Sequence, residues 1–263
     1  MSERIKSALT FGTSLLVFVV LWEWVSRAGG VNPIILPPPT EILSALWFVV
    51  TNFFGRLDYW EDTWITLYEI ILGFFVGSGT AIVIGSLVAE FNPVRRGVIP
   101  YTIALNATPK IAIAPLFVIW FGFGAMPKIL IAALICFFPV FVNTVTGLNS
   151  VEEEELELMA SIRSSRWQTF RRLKLPRSAP FVFASLRTAM AFAAIGAVIG
   201  EFAGASSGLG FQIEFAAARL ETARLFAFLV ILSVLAYILY SIIAFAERKV
   251  MFWAPASRMQ RLQ

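Results

Sequence analysis

The segment Glu152–Pro180, EEEELELMASIRSSRWQTFRRLKLPRSAP, carries five glutamates and six basic residues in a chain that is otherwise largely apolar. It lies between long apolar runs, and that placement organises the rest of the sequence. Hydrophobic residues make up 58% of the 263 residues and charged ones 14%, with a mean hydropathy of +0.78. Soluble domains carry about 25% charged residues, so this composition belongs in a bilayer. The length fits one membrane domain over 1–263, with no room for a second folded unit.

A membrane helix needs about 20 mostly apolar residues. Six runs meet that test: 8–26, 64–89, 98–121, 129–148, 179–200 and 225–246. Such runs could also be buried helices of a large soluble protein, but six of them here leave too little polar chain to cover them. The first run follows Arg4 and Lys6 as a signal sequence would. Trp22-Glu23-Trp24 closes it like an interfacial belt, and no small-residue cleavage site follows, so the run is expected to be a retained span.

Lysine and arginine favour the cytoplasmic side of a span. One set of connections holds fourteen basic residues, including the six between Arg163 and Arg177, and the alternate set holds five, Arg27, Arg56, Lys128, Arg219 and Arg224. Both termini and the charged segment are therefore expected in the cytoplasm. On the outer side, ILPPPTEILSALWFVV has three prolines that cannot continue a helix, then Thr40 and Glu41 that can start one. A short amphipathic helix on the outer surface is expected there.

With no histidine and a single cysteine, Cys136, inside an apolar run, disulfides, Cys/His metal sites and histidine acid–base chemistry are excluded. Cys136 reads as core packing. The net charge of +4 could suggest nucleic acid, but the basic residues cluster beside the spans, which points to lipid instead. No catalytic, cofactor-binding or metal residues are expected, and the chain is not expected to be an enzyme. No Gly-x-x-x-x-Gly-Lys-Ser/Thr loop occurs, so ATP phosphates cannot be cradled here in that manner.

Within the charged segment, Ser150 with Glu153 and Ser165 with Gln168 fit the capping-box pattern. Two short helices are expected, about 151–162 and 166–174, with a break at Arg163-Ser164-Ser165. Pro176 and Pro180 are expected to stop the chain before the fifth span. The apolar side of this elbow (Leu156, Met159, Ile162, Trp167, Phe170, Leu173) needs a surface. That surface is either the chain's own cytoplasmic face with its lipid or a cytoplasmic partner.

ELMASIRSSRWQTFRRLKLPRSAP resembles the cytoplasmic loop of bacterial ABC-importer permeases, with Glu157, Ser165, Arg166, Trp167, Gln168, Phe170, Leu175 and Pro176 on the expected positions. PLFVIWFGFG (115–124), FFPVFVNTVTGL (137–148) and SLRTAMAFAAIGAVIGEFAGASSGLGF (185–211) extend the likeness to the nitrate, sulfonate, taurine and pyrimidine-precursor branch. Two positions depart from the pattern: Met159 stands where alanine is usual, and Arg163 where glycine permits the bend, so that either Arg163 adopts the bend at a cost or the bend shifts to Ser164-Ser165.

The resemblance implies an all-α polytopic membrane protein of about six transmembrane helices, type I ABC importer-like, with a coupling loop over 150–177. It implies a homodimer of permeases in the bacterial inner membrane, two ATPase subunits that use ATP and Mg, and a periplasmic binding protein. It assigns ATPase coupling to Glu157, Met159, Arg163, Ser165, Arg166, Trp167, Phe170, Leu175 and Pro176. Contact with the binding protein falls to Glu201, Gly208 and Gly210, although Gly208 and Gly210 also fit a plain outer turn and Glu201 could sit among headgroups. The translocation pathway would take Lys110, Pro109 and Asn143. Lys110 either lies near the centre of the 98–121 run or marks a helix start at the cytoplasmic interface. The alternative function, a secondary transporter, would carry ionisable groups inside several spans, and Lys110 is the one expected near a span centre.

Overall fold

The computed structural model describes residues 3–54 and 59–251, and all regular structure among them is helical. The elements are α1 (Glu3–Ala28), α2 (Pro39–Thr51), α3 (Tyr59–Glu90), α4 (Asn92–Ala107), α5 (Lys110–Phe121), α6 (Ala125–Leu148), α7 (Glu153–Ser161), α8 (Arg166–Thr169), α9 (Leu175–Phe202), α10 (Leu209–Ala218) and α11 (Thr222–Val250). A π-helical turn, Phe170–Lys174, joins α8 to α9.

Four helical runs are long and apolar enough to cross a membrane: α3, α6, the run Arg166–Phe202, and α11. The pair α4 and α5, bent by 100° at a short break, passes the same test only when taken together, as a broken span or a re-entrant loop. The first expected span, 8–26, falls on the continuous helix α1, where the side chains of 3–9 and 11 lie outside the described residues.

The expected run 98–121 is broken at Thr108 and Pro109. Proline disfavours the α conformation in the residue before it, and Thr108, ahead of Pro109, is extended at φ −70°, ψ 134°. The stop expected at Pro176 and Pro180 does not occur; helix continues from Arg166 to Phe202. In the π turn the Leu175 N–H reaches back five residues to Phe170 O. Such a turn re-registers the hydrogen-bond ladder, so Pro176, which has no N–H, enters as the second residue of α9, where none is needed.

Contacts gather into two units, Met1–Trp64 with Ser207–Ser233 and Ile65–Ser206 with Val234–Gln263. In the first, the helix expected after the prolines is α2. Thr40 at its start is held by Glu23, whose Oε2 accepts from Thr40 N at 3.1 Å, and by Arg27, which donates to Thr40 Oγ1 at 2.8 Å. Asp62 grips the start of α10, accepting from Gly208 N and from Gln212 Nε2, each at 2.6 Å.

The core of the second unit is built by α3, α6, α9 and α11 around Ile70, Phe74, Cys136, Val140, Met190 and Ala193. In lipid there is no hydrophobic force between helices, and small residues that permit close approach take over. Gly73-xxx-Gly77 on α3 and Gly196-xxx-Gly200 on α9 bracket α6. A Cβ on Gly77 would lie 2.3 Å from Ala133 O, and one on Gly196 would lie 2.6 Å from Ala132 Cα. Cys136 is buried, as expected, its thiol donating to Ala189 O at 3.0 Å.

Candidate functional site

The elbow is built by local chemistry. Ser165 N donates to Gln168 Oε1 at 2.8 Å and Gln168 N to Ser165 Oγ at 3.2 Å, the expected capping box. The first box sits elsewhere, at Glu152 and Glu155, with Glu152 N donating to Glu155 Oε2 at 3.1 Å. Ser150 is occupied by the end of α6, its hydroxyl donating to Gly147 O at 2.8 Å. The glutamate run supplies the replacement cap and suits the positive helix N-terminus.

Arg163 makes the bend itself, at φ +52°. Its N–H bonds Ala160 O at 2.9 Å and Ser164 N–H bonds Met159 O at 3.0 Å, a Schellman closure of α7. An L-residue there costs about 1–2 kcal/mol relative to glycine. Met159 contributes its carbonyl, which any residue would supply.

The elbow is tied down on one side and open on the other. Arg177 pairs with Glu152 at 3.2 Å and Glu155 at 3.6 Å, and Lys174 Nζ lies 2.6 Å from Glu90 Oε1 at the end of α3. Trp167 is 66% exposed and stacks on half-buried Phe170 with ring centroids 5.8 Å apart; Leu158 and Ile162 are also exposed. Glu157, Arg163, Ser165, Arg166, Leu175 and Pro176 are exposed, and Met159 and Phe170 are half-buried. A groove of about 460 Å³ lies beside them, bordered by Phe91, Pro93, Leu156, Ala160 and Arg166.

Lys110 is the first residue of α5, the second of its two expected settings as regards the helix start. Its Nζ donates to Asn106 O at 2.9 Å and lies 4.8 Å from the Phe138 ring centroid. Pro109 sits at the break, and Asn143, on α6, donates to Pro139 O at 2.8 Å.

Glu201, Gly208 and Gly210 are all buried. Glu201 is fully buried and accepts from Thr66 Oγ1 at 2.6 Å, so its carboxylate meets neither headgroups nor an external protein in this structure. The turn in SSGLG is at Gly208, φ +113°, while Gly210 is inside α10, a helix the sequence reading left as connection.

Ionisable groups inside spans are more numerous than expected. Lys128, counted among the outer connections, is buried in α6 with Nζ 2.8 Å from Glu69 Oε1 on α3, and Glu69 adjoins Glu201. Arg187, on α9, pairs with Glu247 of α11 at 3.0 Å. The signals were present: Glu69 and Arg187 fall inside the expected runs 64–89 and 179–200, and both Gly-x-x-x-Gly pairs are visible in the sequence.

Residues 81–252 match the family model described as binding-protein-dependent transport system inner membrane component. The riboflavin transport system permease protein RibX of Chloroflexus aurantiacus is 32% identical over 96% of this chain and 95% of its own. The putative aliphatic sulfonates transport permease protein SsuC of Bacillus subtilis is 31% identical over 90% and 84%. The formylaminopyrimidine transport permease protein ThiX of Halalkalibacterium halodurans is 32% identical over 95% and 98%. Among solved structures, an inward-facing MetNI methionine ABC transporter matches with a TM-score of 0.66 at 17% identity, covering 75% of this chain and 99% of that one, a likeness of fold.

Proposed function

The chain belongs to the binding-protein-dependent transport system inner membrane component family, as a permease subunit of an ABC importer, and we propose that its elbow transmits ATP-driven motion to a pathway for a small solute. The proposed assembly is a homodimer of this chain, each copy a single permease domain, with two ATPase subunits that bind ATP and Mg. A periplasmic binding protein delivers the solute. The charge asymmetry supports a bacterial inner-membrane protein with both termini cytoplasmic.

The carrying observation is the continuity of the lever. From Arg166 to Phe202 the helix runs without a break for 37 residues, and the Lys174–Glu90 pair ties its base to α3. A push at Trp167 thus has two rigid outlets, α9 along its length and α3 through its cytoplasmic end. Lys174→Ala is expected to uncouple the machine: ATP hydrolysis in the assembled importer persists, while uptake per ATP falls about two- to fivefold, the worth of one part-exposed ion pair. Uptake per ATP at the native value would remove Lys174 from the coupling route.

For the pathway we propose Lys110, Pro109 and Asn143. Irregular backbone at membrane depth is tolerated where it is buried in protein or lines a water-filled cavity, and we read the Thr108–Pro109 break as such a place. Lys110 there would favour an anionic or electron-rich solute, of the sulfonate, nitrate, taurine or aromatic-acid kind, over a neutral pyrimidine precursor. Lys110→Ala should lower uptake about tenfold, the scale of one charge-assisted hydrogen bond, with assembly and basal hydrolysis intact. Unchanged uptake at equal expression would return Lys110 to the interface. For contact with the binding protein we propose Glu201, Gly208 and Gly210, each of them buried, with Phe202 and Ser206 exposed nearby in the sequence.

A further inference from the structure

Near the middle of α9, Arg187 Nε lies 3.0 Å from Glu247 Oε2, with the two side chains 11% and 5% exposed. A charged residue inside a span is costly and ordinarily faces a partner or a pathway. Glu247 accounts for the charge. It does not account for the space alongside, a cavity of about 520 Å³ bordered by Arg187, Asn143, Ser185, Thr188 and Tyr240. A pair that served only to clamp α11 to α9 would be closed over by apolar side chains at interior packing density, whereas this wall is polar.

The chemistry of that wall is directional. Ser185 Oγ donates to Val182 O at 2.7 Å, Thr188 Oγ1 to Ala184 O at 3.3 Å, and Asn143 Nδ2 to Pro139 O at 2.8 Å. Those donors are committed to the backbone, which leaves two hydroxyl oxygens and Asn143 Oδ1 as acceptors. The Arg187 guanidinium has five N–H donors, more than the single Nε contact to Glu247 consumes. A carboxylate or sulfonate suits the guanidinium, and an amine or ring N–H on the same molecule suits the acceptors. The volume lies within the range of small-molecule sites, about 300–1,000 Å³.

We propose that this cavity is a binding subsite for the transported solute, with Arg187 receiving a carboxylate, sulfonate or similar anionic group and the Asn143, Ser185 and Thr188 oxygens receiving its hydrogen-bond donors. The proposal rests on the importer reading, and its test does not require the solute to be known. In a Cys136→Ala background, Thr188→Cys places one thiol on the cavity wall. Its modification by an anionic methanethiosulfonate (ethylsulfonate) and a cationic one (ethyltrimethylammonium) is measured in the detergent-solubilised assembled importer, each rate normalised to that of a free thiol. The normalised ratio should favour the anion about twofold, because Arg187 lines the cavity while its counter-ion Glu247 does not. The Arg187→Gln, Glu247→Gln double variant, which removes both charges together, should abolish that preference. Labelling by neither reagent, a ratio near one, a cationic preference, or an anionic preference that survives the double variant would each overturn the subsite. ATP-driven uptake by the Cys136→Ala background reports separately on the importer reading, so the two failures are distinguishable.

Discussion

Replacing Lys128 with methionine is expected to prevent the protein from accumulating in folded form. Lys128 and Glu69 are 8% and 0% exposed in their side chains, and Lys128 Nζ is the cation 2.8 Å from Glu69 Oε1. Glu201, fully buried, adjoins the same carboxylate. With the ammonium gone, two carboxyl groups share a water-poor site between α3, α6 and α9. Breaking a buried pair from one side costs about 3–5 kcal/mol, against a total stability of about 5–15 kcal/mol. The lysine stem is also seated closely: a Cβ on Gly200 would lie 2.9 Å from Lys128 Cβ and 3.1 Å from its Cγ. Lys128→Met should therefore lose most of its monodisperse peak in size-exclusion chromatography. Glu69→Gln combined with Lys128→Met should recover most of it, because the carboxylate that faced the ammonium is gone and Glu201 keeps the hydrogen bond from Thr66. A single Lys128→Met variant that elutes and melts like the native protein would show that the pair contributes little.

Trp167→Glu should act at the opposite end of the same lever. Trp167 is exposed and stacked on Phe170, so its loss leaves the spans untouched. Aromatic side chains at the centre of an interface commonly carry 2 kcal/mol or more of binding, which corresponds to roughly thirtyfold in affinity. A carboxylate in its place adds the cost of burying an unpaired charge against the partner. The variant should insert at native levels yet fail to retain the ATPase during purification. Recovery of the ATPase at native yield would move the docking anchor elsewhere on the elbow.

The parts of this architecture that were legible in the sequence are those fixed by local chemistry or by the bilayer. Four of the six expected runs lie within α3, α6, α9 and α11, because a span must be long, apolar and helical. The elbow was legible from Ser165 and Gln168, which bond each other three residues apart, and from Arg163, where the departure from glycine marked the strained residue. Pro176 misled because proline read locally is a stop, whereas the π turn before it accommodates the missing N–H. Glu201 and Lys128 misled for another reason. A charge at the end of a run can face water or turn inward, and only the neighbouring helices decide which. The partners that settled it, Thr66 and Glu69, lie far away in the chain. Arg187 and Glu247 are likewise distant in sequence, and the cavity that Arg187 borders is lined from α6, α9 and α11, so it has no local signature.

The central claim is that this chain moves solute by ATP-driven motion transmitted through the elbow, and uptake into proteoliposomes tests it most directly. The permease is reconstituted with its ATPase and binding protein, and uptake of the binding protein's ligand is followed with either ATP or an imposed proton gradient as the energy source. The account predicts uptake that requires ATP, the ATPase and the binding protein together, and that does not respond to the gradient. Uptake by the permease alone, driven by the gradient, would contradict it and identify a secondary transporter.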